Sequence, residues 1–364
     1  MDIYSSKLSY PLDIGVGAYL LILAVLSISG NLLVLIMAVK RASHMKPAEL
    51  LSVSLAITDL GAAVSMYPLA AASAWNHHWI GGDVTCRYYA FMGFFFGVAS
   101  LATLTVMAVI RFIVSTNLQS PKERVSKRNV KAAGGGHVAL RLLWATFPFA
   151  GWGQVGREPF GLSCTLAWGR HAERPPRCRP SWSSMFSHEP GHPAIIIISC
   201  YAGIVLRLRM TFKSVKNCNH IPNTLKMQRR LILLRKGSAI AFIISMGFLG
   251  SWTPYGLVSM WSVYQDSASI PPLVSMLPCL FAKTSTVYNP LIYYAFSKTF
   301  KAQVRQMCCL CGRPTACHPT KGDKVTNTIY TVRELRKPSE PQPQPRLEPS
   351  MEEQVEERLP LEYK

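Results

Sequence analysis

Acid is what this sequence lacks. Its 364 residues hold 19 Asp and Glu against 39 Lys and Arg, a formal charge of +20. So large a cationic excess suits a nucleic-acid binder only where the cations gather on one surface. Here they gather between long uncharged runs, and no nucleic-acid partner is expected. The ten cysteines show no metal-ligand spacing and no dense disulfide framework, so neither a metal site nor a small cross-linked secreted domain is expected. Residues 1–13 lack an Asn-x-Ser/Thr acceptor, and no cationic stretch precedes the first apolar run. That run starts too late and is too long for a cleavable signal peptide, so it is expected to stay in the mature chain.

What is present is apolar length. A membrane span needs about 20 mainly apolar residues, because the hydrocarbon core is about 30 Å thick and a helix rises about 1.5 Å per residue. Ile14–Val39, Leu50–Trp75, Tyr88–Ser115, Ala239–Tyr264 and Ile270–Phe296 meet that length with few or no charges. The cations occupy alternate connections. Lys40, Arg41 and Lys46 follow the first span, Lys122 to Lys131 follow the third, and Lys213 to Lys236 precede the sixth. The positive-inside rule makes these loops cytoplasmic and puts the N-terminus outside. The charge reads as topology.

Two spans break the pattern. Leu142–Val155 is 14 residues long and interrupted by Pro148; Ala194–Leu206 is 13 residues long, behind a stretch rich in arginine and proline. Thirteen helical residues reach only about 20 Å. The spans near 138–155 and 193–213 are therefore expected to be short or disrupted, their N-terminal halves replaced by unrelated sequence.

The last apolar run carries one cation, Lys283, with no acid near it in sequence. A charge near mid-membrane costs roughly 2.5–3.5 kcal/mol on insertion scales, so its presence calls for a function. A desolvated lysine can shed its proton and attack a carbonyl to form a Schiff base. The bland alternative, a lysine snorkelling to a membrane face, suits a helix end better than this mid-run site. Six residues on, Asn289-Pro290-x-x-Tyr293 puts a helix-kinking proline in the same span.

Lys283 six residues ahead of Asn-Pro-x-x-Tyr resembles the opsins, the retinal-binding branch of the rhodopsin-like receptors. The resemblance covers roughly residues 7–112, 144–168 and 193–307. Within the opsins, Phe94-Phe95-Phe96-Gly97 and Glu158-Pro-Phe-Gly-x-Ser-Cys164-Thr-Leu are similar to the neuropsin-like group. It implies an all-α membrane protein: a seven-helix bundle over 14–296, with an extracellular N-terminus of 13 residues. An amphipathic eighth helix with a cysteine cluster (297–311) and a disordered cytoplasmic tail (312–364), rich in proline and charge, would follow. A plasma-membrane light receptor, not an enzyme, is implied, with retinal bound covalently and a heterotrimeric G protein as partner.

The resemblance also implies roles for particular residues. Lys283 would carry retinal as a protonated Schiff base. Buried imines lose that proton unless an anion offsets the desolvation. Vertebrate visual pigments keep a glutamate where this chain has Tyr89, so the implied counterion is Glu158, with Tyr89 as a hydrogen-bonding neighbour; an ordinary loop acid facing water is the alternative. Gly97, Trp252 and Tyr255 would complete the pocket, and Gly93 would either leave room beside them or serve helix packing. Cys86 and Cys164 would form a disulfide. Asn31, Asp59, Ser100, Ser285 and Asn289 match a polar cluster that holds water or sodium. Arg111, Tyr201 and Tyr293, with Asn289 and Pro290, would serve G-protein activation. The family's acid beside that arginine is here Ile110, which removes an inactive-state ion pair. Cys308 and Cys309 sit where palmitoylation is common, or are plain thiols. Counterions in this loop go with bistable pigments. Two other readings stay open: a retinal photoisomerase with little signalling, and a receptor for a diffusible ligand.

Overall fold

The computed structural model describes residues 4–42, 45, 47–116, 127–146, 149, 155–166, 191–216, 221–264 and 270–311. Trp168, the arginine- and proline-rich stretch after it and the tail beyond residue 311 fall outside them. Met1–Gln306 form one compact unit; a second, Met307–Lys364, enters this description only through residues 307–311.

Helix α1 (Tyr10–Lys40) starts with Pro11 in its first turn, where the missing N–H costs nothing. Asp13 near its positive end and Lys40 in its last turn suit the helix dipole. The helix thus begins four residues before the apolar run and takes Asp13 out of the expected N-terminal tail. Helices α2 (Pro47–Trp75) and α3 (Gly82–Thr116) follow. Between them Gly81 and Gly82 adopt φ of +83° and +63°, open to glycine without a Cβ clash.

Helix α4 (Lys127–Thr146) has 20 residues and starts among cations assigned to the loop before it. It ends well before Val155, which instead opens strand β1 (Val155–Arg157). Strand β2 (Cys164–Leu166) pairs antiparallel with β1, Arg157 opposite Cys164. Helix α5 (His192–Lys216) has 25 residues, almost twice the apolar run of 13 that marks it in sequence. Its C-terminal third, holding Arg207, Arg209 and Lys213, is helical but too polar to register as apolar, and the whole reaches about 37 Å.

Helix α6 (Ile221–Tyr264) spans 44 residues with Pro254 inside. The seventh span is two helices, α7 (Pro272–Lys283) and α8 (Ser285–Phe296), and α9 (Lys298–Cys311) follows. Helix α3 lies at the centre, packed on α2, α4, α5, α6 and the hairpin, while α1 closes against α2 and α8.

Among the described residues, five helices are long and apolar enough to cross a membrane: α1, α2, α3, α5 and α6. Their outward faces carry bare aliphatic side chains such as Ile22, Ile195, Leu233 and Leu257. Such continuous apolar exposure fits a hydrocarbon surround. The buried residues form two clusters. One surrounds Trp79, Tyr67, Tyr89 and the Cys86–Cys164 bridge; the other surrounds Leu55, Leu104, Ile204 and Ile244.

Candidate functional site

The break in the seventh span sets the lysine. Thr284 N–H donates to the Phe281 carbonyl (3.1 Å) and Val287 N–H to the Thr284 carbonyl (3.0 Å), three residues back instead of four. Prolines at 278 and 290 flank this tightened turn. The Lys283 carbonyl accepts a bond from the Tyr67 hydroxyl of α2 at 3.0 Å. The Lys283 side chain folds inward: Nζ donates to Cys279 Sγ, one turn back, at 3.1 Å and lies 5.7 Å from the centre of the Tyr89 ring. It does not reach for a membrane face.

The β-hairpin covers the lysine from the other side. The disulfide joins Cys86, in the first turns of α3, to Cys164 on β2. Glu158 N–H donates to the Ser163 carbonyl (2.8 Å), and Gly161 N–H to the Glu158 carbonyl (2.9 Å). Gly161, at φ +91°, lies so close to the N-terminal segment that a Cβ would sit 2.9 Å from the Ser5 carbonyl oxygen. This tight turn sends the Glu158 side chain inward, leaving it 9% exposed. The Tyr255 hydroxyl donates to Glu158 Oε1 at 2.7 Å and accepts from Thr165 Oγ1 at 2.9 Å. Burial pushes the Glu158 carboxyl up to about 7, against the lowering effects of the Tyr255 bond and the Lys283 charge. No ion pair within 4 Å joins Glu158 to Lys283.

Between them lies a cavity of about 440 Å³, lined by Tyr89, Gly97, Glu158, Trp252, Tyr255 and Lys283 among mainly apolar side chains. That volume is ordinary for a small-molecule site. Trp252 stacks on Phe248 with ring centres 5.6 Å apart, and its Nε1–H donates to Ser285 Oγ at 3.2 Å. A Cβ on Gly97 would meet Trp252 Cη2 at 3.4 Å, whereas one on Gly93 would meet the Met66 methyl at 2.9 Å. Gly97 therefore makes room beside the indole, and Gly93 both lines the cavity and lies against Met66 of α2. Tyr89 is fully buried, and its hydroxyl has no hydrogen-bond partner.

The expected polar cluster is partly assembled. Asn289 Nδ2 donates to Asp59 Oδ2 at 2.7 Å. Ser100 bonds to Thr58 (2.9 Å), and Asn31 donates to the Thr286 carbonyl (2.8 Å); both reach neighbours of the Asp59–Asn289 pair. At the end of the bundle away from the hairpin, Arg111 presses on Gly237 of α6, where a Cβ would lie 2.8 Å from Nη1, and its Nε has no hydrogen-bond partner. The Tyr201 hydroxyl bonds to Ser245 (3.2 Å), and Tyr293 packs edge-on against Phe300. The meeting expected of Arg111, Tyr201 and Tyr293 is not made by hydrogen bonds here. The side chains of Cys308 and Cys309 lie outside the described residues.

Several residues of the site region were not legible in sequence. Asp13, fully buried, pairs with His77 at the end of α2 and accepts a bond from Ser6 (3.1 Å). The N-terminal segment is thereby tied to the bundle. Trp79 N–H donates to the Tyr4 carbonyl (2.8 Å), and Lys7 N–H to the Phe160 carbonyl of the hairpin (3.1 Å). An acid in the first turn of an apolar helix was the available signal. Asp83, in the first turn of α3, accepts from Tyr4 at the exposed rim (2.6 Å). Tyr67 and Cys279 had no motif to mark them.

A bundle of membrane-length helices around one amine-bearing apolar cavity, closed by a disulfide-pinned hairpin, defines a seven-helix membrane receptor. The family described as 7 transmembrane receptor (rhodopsin family) matches residues 30–293. Opsin-5 of Homo sapiens is 32% identical over 334 residues, 91% of this chain and 90% of that protein. The visual pigment-like receptor peropsin of Homo sapiens is 30% identical over 293 residues, 80% of this chain and 83% of that one. The crystal structure of squid rhodopsin superposes with a TM-score of 0.77 at 23% identity, covering 93% of this chain and 96% of that chain, a likeness of fold. The chain belongs to the rhodopsin family of seven-transmembrane receptors and, within it, to the light-sensing opsins. The expected fold class and family are borne out, and with them a multi-pass membrane protein.

Proposed function

We propose that this chain is a non-visual photopigment that carries retinal as a protonated Schiff base on Lys283, with Glu158 as counterion. The observation that carries the reading is the cavity itself. Its one amine and its one hairpin acid face a common apolar volume, and Tyr255 steadies the acid. The residues present suit the group: an apolar volume for a polyene, space at Gly97 beside Trp252, and the unpartnered Tyr89 hydroxyl. When bound, retinal supplies the photoisomerisation that no side chain here can perform.

The protein's own contribution is then binding, exclusion of water and charge placement. Lys283 anchors, the hairpin seals, and Glu158 offsets the cation. A shape change pressing on Trp252 would reach Asp59 and Asn289 through Ser285 and α8, and move α6 away from Arg111. A heterotrimeric G protein would fill the cytoplasmic opening, in a plasma membrane with the N-terminus outside. Palmitoylation of Cys308 and Cys309 would hold α9 at the interface. A counterion on the hairpin favours a bistable pigment; bleaching with release of free retinal after one flash would contradict that.

The test is to load the chain with 11-cis and all-trans retinal separately, illuminate with borohydride, and find the label by peptide mass spectrometry. Fixation on Lys283, lost in Lys283→Ala, is the expected result. No fixation, or fixation elsewhere, overturns the reading and leaves a receptor for a diffusible ligand. A second reading, a photoisomerase with little signalling, draws on the buried Ile110 beside Arg111. Light-dependent nucleotide exchange on a G protein separates the two.

A further inference from the structure

The amine of Lys283 does not rest against the acid proposed as its counterion. Its hydrogen-bond acceptor is the sulfur of Cys279, at 3.1 Å and one helical turn back. Cys279 is buried and has no disulfide partner. Its sulfur also stands 3.9 Å from the hydroxyl of Ser163, on the hairpin. The sulfur thus sits between the amine and the lid, in the wall of the cavity.

A lysine side chain is a flexible four-carbon stem, and the helix backbone alone does not fix where the nitrogen points. The hydrogen bond to Cys279, with the Tyr89 ring 5.7 Å away, holds Nζ facing the cavity. The cavity points independently to a ligand: the Tyr89 hydroxyl, on a side chain 1% exposed, lines the same volume and has no hydrogen-bond partner.

We propose that Cys279 is a positioning residue for Lys283, its sulfur holding Nζ over the Tyr89 ring and open to an aldehyde carbonyl arriving from the cavity. This rests on the reading of Lys283 as the attachment site. The attack needs Nζ near 3–3.5 Å from the carbonyl carbon along a suitable line, and displacement of about 1 Å can cost about a hundredfold in rate. Condensation joins the amine nitrogen to the aldehyde carbon and releases the carbonyl oxygen as water; the sulfur forms no bond in it. The other ionisable groups facing the amine are Tyr19 from α1, Tyr67 from α2, Tyr89 from α3 and Glu158 from the hairpin.

The test compares Cys279→Ser, Cys279→Val and Cys279→Ala in the full retinal-free chain, held in lipid nanodiscs. Each is exposed to benzaldehyde with cyanoborohydride, and the alkylation rate at Lys283 is read by peptide mass spectrometry. Serine keeps a polar atom for the amine, whereas valine keeps the bulk without one. The expected result is a rate for serine within about threefold of the parent and losses of tenfold to a hundredfold for valine and alanine. Equal rates in all four chains, or loss in serine with retention in valine, overturn the proposal and leave Cys279 as packing. If alanine fails to fold, the serine–valine pair still decides. Retinal is offered in parallel. Failure of retinal to attach to the parent chain, with the benzaldehyde ranking intact, would refute the photopigment reading and not the positioning role.

Discussion

Tyr255 on α6 donates its hydroxyl proton to Glu158 on the hairpin across 2.7 Å, joining the lid of the cavity to the helix expected to move. The bond is charge-assisted when the acid is ionised, and such bonds contribute more than neutral ones. Lid and helix are thereby coupled through one acid.

Glu158 gives the retinal-free chain a pH-dependent stability. Its carboxyl moves from 4.5 unfolded to about 7 folded. Between those values the folded chain keeps a proton that the unfolded chain has lost, so stability falls as pH rises through that window and levels off above it. The shift corresponds to roughly 3 kcal/mol. Thermal unfolding followed from pH 5 to 8 should show the fall, and Glu158→Gln should flatten it. Parallel curves for the two chains would mean that the acid is not buried as described. Tyr255→Phe removes a bond that stabilises the anion, and should extend the fall above pH 7.

Gly97 keeps the cavity open beside Trp252. A single Cβ would fit at 3.4 Å, so Gly97→Ala should load retinal within about threefold of the parent. Gly97→Leu has no such space; overpacking of this kind costs about 1–3 kcal/mol, and loading should fall by about tenfold or more. Absorbance titration with retinal measures both. Equal loading of the two variants would remove Gly97 from the pocket wall.

Asn289 is the donor to buried Asp59. Asn289→Ala strands the carboxyl, at a cost of about 1–3 kcal/mol. Asn289→Ala with Asp59→Ala should recover part of that loss, since both partners are then gone. A double variant as unstable as the sum of the singles would show that the two do not interact.

Ile110 leaves Arg111 without the acid that the family places beside it. Ile110→Asp should restore an ion pair worth about 1 kcal/mol and lower dark nucleotide exchange by about fivefold. Unchanged or raised dark exchange would show that this arginine does not hold the resting state.

The amino-acid order alone was enough for the membrane, because the length and charge-free character of an apolar run are local properties. It was enough also for Lys283, an isolated cation in such a run, and for the motif that follows it. Arg207, Arg209 and Lys213 hid the true length of α5, since a helix can continue past the end of its apolar stretch. Val155 looked like the end of a span and proved to be a strand, because a 14-residue apolar run does not reveal which secondary structure it takes. What only the tertiary structure decided is who meets whom. Asp13 and His77 lie 64 positions apart, and Glu158 and Tyr255 97 apart. No periodicity links such pairs, because their contact depends on how helices pack and on one disulfide fixing the hairpin to α3. The same holds for the hydrogen-bond partner of the Lys283 amine: the i,i+4 spacing permitted Cys279, but the packing of the cavity walls decided that the two meet.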